Sequence, residues 1–234
     1  MSKAFVIGYD PGGNGAHGVA ALEVREENGR WHSLSLQVEQ VRTLRDAVAW
    51  LKDTCCDGRI VAAGVDTLTE WNSGPGGWRP ADKRLKERYR EVANQILAPN
   101  SLAGSMAVNG AAFLRLLRSR FRADSILVTE AHPKVCVFAL TRRKYIWAEE
   151  RASLEAWLLD QLGINVPPEI PFGEKDHCFD AGMAVLAALR GLNGDWRLDL
   201  HDLPDADQSG RVLFCGRNHY WWPAPPEPSA PGKP

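Results

Sequence analysis

"IGYDPGGNGAHGVAALEV", residues 7–24, decides how this chain is read. Gly13, Gly15 and Gly18 have the G-x-G-x-x-G spacing of a dinucleotide loop, and Asp10 ends the apolar run before them. A dinucleotide loop closes a strand and opens a helix, because the free amides and dipole of the helix N-terminus hold the pyrophosphate. Here the glycines run into "VAALEV" (19–24), which reads as a second strand. The Gly-Lys-Ser/Thr ending of a phosphate-binding P-loop is also missing, since Gly15-Ala16-His17-Gly18 stands in its place. The segment is therefore strand, sharp turn, strand. Its glycines let the backbone approach a ligand beside a carboxylate fixed at the strand tip, although Asp-Pro-Gly is also ordinary turn chemistry.

Working outward, "KAFVIGYD" (3–10), "VAALEV" and "WHSLSLQV" (31–38) predict three antiparallel strands, the last two joined through the Asn-Gly of "EENGR" (26–30). A helix is expected from an N-cap at Thr43 to Leu51, with Leu44, Val48 and Leu51 on one face. "IVAAGVD" (60–66) predicts a fourth strand, and "TLTEWNSGPGGWRP" (67–80) a long loop of the kind that carries function. A basic amphipathic helix over 81–97 follows, then a helix over 108–121, a fifth strand in "DSILVTE" (124–130), and helices over 146–162 and 176–192. The order predicts an α/β fold: a mixed five-stranded sheet, three antiparallel strands then two parallel, flanked by helices. Residues 1–195 read as one domain. Residues 196–222 read as an acidic linker (Asp199, Asp202, Asp205, Asp207) and short C-terminal extension, with "RVLFC" (211–215) and "HYWW" (219–222) as a strand pair. Residues 223–234 hold six prolines and read as a disordered tail.

A chain of 234 residues with 44% hydrophobic content has room for one sizeable core. With 28 Lys and Arg against 29 Asp and Glu, the net charge of −1 gives no global pull toward a polyanion, which must be met by a local patch. Five cysteines without a C-x-x-C pair, and an N-terminus without a basic region and apolar signal core, point to a reducing, cytoplasmic setting. No apolar run approaches the roughly 20 residues that span a bilayer, so no membrane role is expected.

Asp10, Asp66 and Glu130 each end an apolar strand. If those strands run parallel and adjacent, the three carboxylates meet at the sheet's carboxyl edge, where ligands sit in α/β proteins. "KDHCFDAGMAVLAAL" (175–189) adds Asp176 and Asp180, one helical turn apart, with His177 between them. Converging carboxylates repel, and are stable only when protonated or neutralised by a cation. Mg²⁺ or Mn²⁺ suit oxygen ligands, and two such ions about 3.5–4 Å apart clamp the attacking and leaving oxygens of a phosphodiester. Each acid also has a plainer reading. Asp66 can cap the turn at Thr67, Glu130 can pair with Arg122 or Lys134, and Asp176 can cap the last helix.

With these residues in place the chain resembles the ribonuclease-H-like superfamily. More narrowly, it is similar to a family of nucleases predicted to have the RNase H fold, the domain of unknown function 429. The pieces that carry the resemblance are "IGYDPGGNG", "AAGVDTLTEW", "GWRPADKRLKERY", "TEAHPKVCVFAL" and "KDHCFDAGMAVLAAL", in that order over about residues 5–190. The R-x-x-D-x-x-L step of Arg79, Asp82 and Leu85 and the E-x-H-P step of Glu130, His132 and Pro133 are its more specific parts. "HCFDAGMA" (177–184) also resembles the last catalytic segment of RuvC-type resolvases. The glycine turn after Asp10 is longer than in many relatives.

The resemblance implies a divalent-metal-dependent nuclease acting on DNA or RNA. Asp10 would be the bridging carboxylate flanked by Asp66 and Asp180, with Asp176 or His177 beside Asp180. Glu130 would complete one ion or position the attacking water. His177, and after it His132, would be the general acid or base. Affinity for nucleic acid is expected from basic side chains, Arg79, Lys83, Arg84 and Lys86 on one helix and Arg115 and Arg118 on the next. Trp71 and Trp78 either stack on unpaired bases or fold inward over a core edge. The competing expectations are a non-catalytic nucleic-acid-binding or scaffold protein of the same fold, and a phosphate-binding ATPase or kinase-like protein. The oligomeric state is left open, a homodimer included.

Overall fold

Strand β1 (Lys3–Asp10) is buried from Ala4 to its tip, as an unbroken apolar run requires of a strand covered on both faces. The computed structural model describes residues 3–12, 15–56, 58–101, 104–121, 126–165, 167–168, 172–204 and 206–224. β2 (His17–Glu27) pairs antiparallel with β1, and β3 (Arg30–Val41) antiparallel with β2, through the turn at Asn28-Gly29. Helix α1 (Leu44–Thr54) follows, its N-cap Thr43 accepting from the Asp46 amide as expected. β4 (Gly58–Val65) then lies parallel to β1. The long loop after it contains β5 (Glu70–Asn72) and leads into α2 (Pro80–Arg88). After α3 (Gly104–Arg120) comes β6 (Leu127–Glu130), parallel to β4. The sheet order is β3-β2-β1-β4-β6, so three antiparallel strands and two parallel ones form one mixed five-stranded sheet, with helices on its faces.

α4 (Pro133–Thr141), α5 (Trp147–Leu162) and α6 (His177–Leu192) follow. α1 and α3 cover one face of the sheet, with Leu51, Phe113 and Leu117 against Ile7, Tyr9 and Val65. α6 crosses the other face and is buried at every residue from Cys178 to Leu189, the all-round apolar pattern of a core helix. Glycines in the strands let it come this close. A Cβ on Gly8 would lie 1.9 Å from the Ala181 carbonyl oxygen, and one on Gly64 1.9 Å from that of Ala184.

Four elements differ from the sequence reading. The helix expected over 81–97 stops at Arg88, and a 3-10 segment follows over Arg90–Gln95. Tyr89 leaves helical geometry there, and its buried ring packs beside Phe138 and Trp222, whose indole N–H donates to the Tyr89 hydroxyl at 2.9 Å. Helix α4 was hidden inside "TEAHPKVCVFAL", because Pro133 opens it and five of its nine residues are buried, which erases the helical period. "RVLFC" and "HYWW" do not pair with each other. β8 (Arg211–Leu213) pairs with β5, and β9 (Trp221–Trp222) pairs with β7 (Leu198–Asp199).

Residues 196–222 are consequently not a linker set apart from the domain: Trp196, Leu200, Tyr220 and Trp222 belong to the main core. Gly13 of the opening motif, Arg122, Asp205 and the tail from 225 onward lie outside the described residues. Among the described residues no helix is long and apolar enough to cross a membrane.

The close seat of α6 makes a prediction. A methyl group at residue 64 meets backbone rather than a mobile side chain, so Gly64→Ala should destabilise by about 3 kcal/mol, the upper end of overpacking costs. Gly104→Ala, where a Cβ meets nothing within 4 Å, serves as the near-neutral control. Urea unfolding should show the midpoint falling for the first at unchanged slope and holding for the second.

Candidate carboxylate site

Asp10 and Asp66 stand side by side because β1 and β4 run parallel in register, Tyr9 opposite Val65, and the Asp66 amide donates to the Tyr9 carbonyl at 2.9 Å. α6 brings the third acid. Asp180 lies in its first turn, where the helix dipole favours negative charge. The start of the helix sits hard against the glycine turn: a Cβ on Gly18 would be 1.8 Å from the His177 carbonyl oxygen. The described glycines of the opening motif thus admit a helix from across the fold, and the next element in the chain is β2, not the helix a pyrophosphate loop needs.

The three carboxyls raise one another's proton affinity. Burial pushes Asp66 well above the ordinary carboxylate range, and the charges of Asp10, Glu130 and Asp176 push it further. Burial also drives Asp180 well up, reinforced by Asp66, Asp10 and Asp176. Its Oδ1 is buried with no hydrogen-bond partner among the described residues. Asp10 is raised by burial too, but His177 moderates it, with Nδ1 at 2.7 Å from Asp10 Oδ2. That hydrogen bond in turn raises His177. Asp66 keeps part of its surface accessible, so the site has a mouth. Among the described residues no group of three or more His, Cys, Asp or Glu side chains is drawn in to metal-binding distances.

Asp176 precedes α6, yet its side chain caps nothing; its Oδ2 lies 3.2 Å from Lys134 Nζ. Burial would lower the Lys134 ammonium, but Asp180, Asp176 and Asp66 together raise it. Lys134 therefore belongs to the acid site, which the sequence reading missed by offering it to Glu130. Its position just after Pro133, in the first turn of α4, was the available signal. The charge of Asp10 also reaches Tyr9 and His17, where the Tyr9 hydroxyl meets His17 Nδ1 at 2.9 Å.

Glu130 is not part of this set, contrary to the expectation of a metal ligand or water-positioning base. It pairs in register with Val65, one residue short of Asp66, and the pleat sends alternate residues to opposite faces. Its carboxylate takes Arg79 Nη1 and Nη2 at 2.7 and 2.6 Å, with the Thr69 amide and hydroxyl at 2.9 and 3.2 Å. Burial alone would raise it, but the Arg79 charge, with hydrogen bonding and charge from His201 and Arg79, holds it well below the usual carboxylate range.

Arg79 is likewise not a nucleic-acid contact. It is 2% exposed and also holds Asp82 through Nε and Nη2 at 2.8 and 2.7 Å. The R-x-x-D step is a buried ion pair that caps α2, the Arg79 amide donating to Asp82. His132 sits beside this pair, and burial lowers it.

Lys83, Arg84, Lys86 and Arg115 are exposed, while Arg118 is half-buried and donates to Asn218 Oδ1 at 2.8 Å. Trp78 leans on the main core with the Lys86 ammonium 4.7 Å from its ring centre, and Trp71 packs against Phe214. Neither a scan against protein-family models nor a search of the curated proteins finds a match to this chain.

The two kinds of acid should respond oppositely. Arg79→Met leaves Glu130 and Asp82 buried without their cation and should cost about 3–5 kcal/mol. Asp180 has its folded carboxyl raised above the ordinary 3.8. The stability linked to it is full below about pH 3.8 and is lost as pH rises through the raised value. Asp180→Asn should therefore stabilise the protein at pH 8 in EDTA by about 0.5–2 kcal/mol and gain nothing at pH 4. Thermal melts of the three proteins at both pH values check this.

Proposed function

We propose that this chain is a divalent-metal-dependent phosphodiesterase of the ribonuclease-H-like kind, acting on DNA or RNA through Asp10, Asp66 and Asp180. The observation that carries the reading is that two strand tips and the first turn of the last long helix bring three carboxyls, Asp10 and Asp180 buried and Asp66 partly so, into one another's field, one with an orphaned oxygen. Strand order, the acids on β1 and after β4, and the terminal helix with its Asp agree with what the sequence resemblance implies.

The chemistry of the donor set suits a hard cation, although among the described residues the side chains are not drawn in to metal-binding distances. The set consists of oxygens, and Asp180 Oδ1 lacks any partner. Asp10, Asp66 and Asp180 would hold Mg²⁺ or Mn²⁺, one ion or two, with Asp176 at the rim. Such a cation supplies Lewis-acid activation of the phosphodiester. With Asp10, Asp66, Asp176 and Asp180 ionised against Lys134 and protonated His177, two negative charges remain, which one divalent ion cancels.

The protein's own groups do the rest. His177 fixes the orientation of Asp10 through Oδ2, and that bond keeps a proton on the imidazole to higher pH than usual, so His177 can deliver it to a leaving oxygen. Lys134 offers its ammonium at the same edge, where a phosphate approaching the acids meets a positive charge.

Wild type and Asp10→Asn should be compared in Mn²⁺ on single-stranded, duplex, hybrid and branched nucleic acids. Loss of a ligand should cut the rate about a thousandfold, the several kcal/mol that a metal site supplies. Mn²⁺ should also raise the thermal midpoint of the wild type and not that of Asp10→Asn. The reading fails if the wild type cuts none of these, or if Asp10→Asn cuts equally well.

A further inference from the structure

A cleft of about 620 Å³ adjoins the acid site and shares Lys134 and Asp176 with it. The loop between α4 and α5 forms part of its wall. That loop carries three successive basic residues, of which Arg142 lies over the Tyr89 ring and Arg143 pairs with Glu150 at 3.1 Å. Lys144, exposed, has no carboxylate within ion-pair distance among the described residues, and it faces the cleft. Next to it Ile146 is 57% exposed, an apolar side chain standing in the opening to α5. The Tyr145 hydroxyl is buried without a hydrogen-bond partner among the described residues, and the charges of Asp180, Asp176 and Asp66 all reach it. Asn94 and Gln95, both exposed, also line the cleft.

We propose that this cleft takes one unpaired nucleotide next to the phosphate at the acid site, so that the substrate is single-stranded or locally unpaired nucleic acid rather than intact duplex. The inference rests on the hydrolytic reading above for the position of that phosphate.

Size, chemistry and charge agree. Clefts of about 300–1,000 Å³ hold single small molecules, and a nucleotide fits where a paired, stacked duplex does not enter without extruding a base. Ile146 and the Tyr145 ring give the base an apolar surface, the kind of sequence-tolerant contact that single-strand binders use. Each of the Asn94 and Gln95 amides offers both a donor and an acceptor to a base edge. Lys134 and Lys144 lie on the cleft's lining to meet successive phosphates. Glu150 does not oppose them, since its carboxylate is held by Arg143 and by the Ile146 amide at 3.2 Å.

The test uses full-length protein carrying Asp10→Asn, in EDTA, so that binding is read without cleavage. Fluorescence anisotropy is measured with labelled oligothymidylate, oligouridylate and a blunt duplex of the same length, and with polyglutamate as an acidic-peptide probe. The single strands should bind about tenfold or more tightly than the duplex. Adding Ile146→Ser with Lys144→Glu should weaken single-strand binding by about tenfold or more, with Lys144→Ala intermediate and the thermal midpoints unchanged. The inference is overturned if duplex binds as well as single strand, if folded variants bind undiminished, or if polyglutamate binds as tightly as the oligonucleotides.

Hydrolysis of bis(p-nitrophenyl) phosphate in Mn²⁺, wild type against Asp10→Asn, reads the acids without the cleft. If that activity is absent while cleft-dependent single-strand binding remains, the hydrolytic reading falls and the cleft stands. If it is present while binding ignores the cleft variants, the reverse holds.

Discussion

The approach of α6 to β1 and β4 is the constraint on which the site depends. Ala181 and Ala184 place their carbonyl oxygens where side chains would begin on any residue but glycine at 8 and 64. Asp180 precedes Ala181, so the same contact that seats the helix sets this carboxyl against the strand tips that carry Asp10 and Asp66. From Cys178 to Leu189 every residue is buried, and Asp180 is the one charged group in the run. Each large apolar side chain there contributes about 1.5–3 kcal/mol by leaving water. That burial offsets the desolvation of a carboxylate that finds no partner of its own. A looser helix would be easier to build and would leave Asp180 in solvent.

The protein contains two groups of acids that differ in their built-in cations. Glu130 and Asp82 share Arg79, which holds Glu130 well down, and Glu70 is paired with Arg211 although burial still raises it. The work of this group is to tie β5, β6 and α2 to the C-terminal strand β8. Replacing the pair by apolar residues of matched shape would cost little, while removing one partner would cost much. Asp10, Asp66 and Asp180 instead share only the edge charges of His177 and Lys134, and all three are raised. Strongly raised acids of this kind cluster at functional sites, which is what supports the reading proposed above. Electrostatic satisfaction, more than position at a strand end, therefore separates scaffold from site.

That distinction was only partly legible in the sequence. The apolar runs, the Asn-Gly turn and the Thr43 cap declare the five-stranded sheet, because strand burial and turn chemistry are local properties. Asp10, Asp66 and Asp180 are visible as charges attached to fully apolar segments. Glu130 looks the same, since "LVTE" and "AGVD" are both apolar runs ending in an acid. What divides them is a single residue of register between β4 and β6, set by pairing of Val65 with Glu130 across the chain and recorded in neither segment. Arg79 misled for a related reason. Beside Lys83, Arg84 and Lys86 it reads as one more exposed basic residue, and only its pairing with Asp82 and Glu130 turns it inward. α4, Lys134 and the partners of β8 and β9 were hidden because each is fixed by tertiary packing.

On the proposed metal-dependent reading, protons and a divalent cation would compete for the acid site, and His177, hydrogen-bonded to Asp10, would couple the two. At low pH the raised carboxyls are neutral and the repulsion that a cation would relieve is absent. As pH rises they ionise in separate steps, since each new charge disfavours the next, and the hydrogen bond to Asp10 delays the loss of charge from His177. Over that interval the site carries a local proton donor beside partly ionised acids, a combination suited to protonating a leaving oxygen. Once His177 is neutral, Asp10 loses its compensating charge, and Lys134 is the cation left at the edge. On the proposed reading, cation affinity would then rise with pH while the proton donor disappears. The two trends would oppose each other, so that reading implies an optimum between them, set by the arrangement of Asp10, His177 and Asp180.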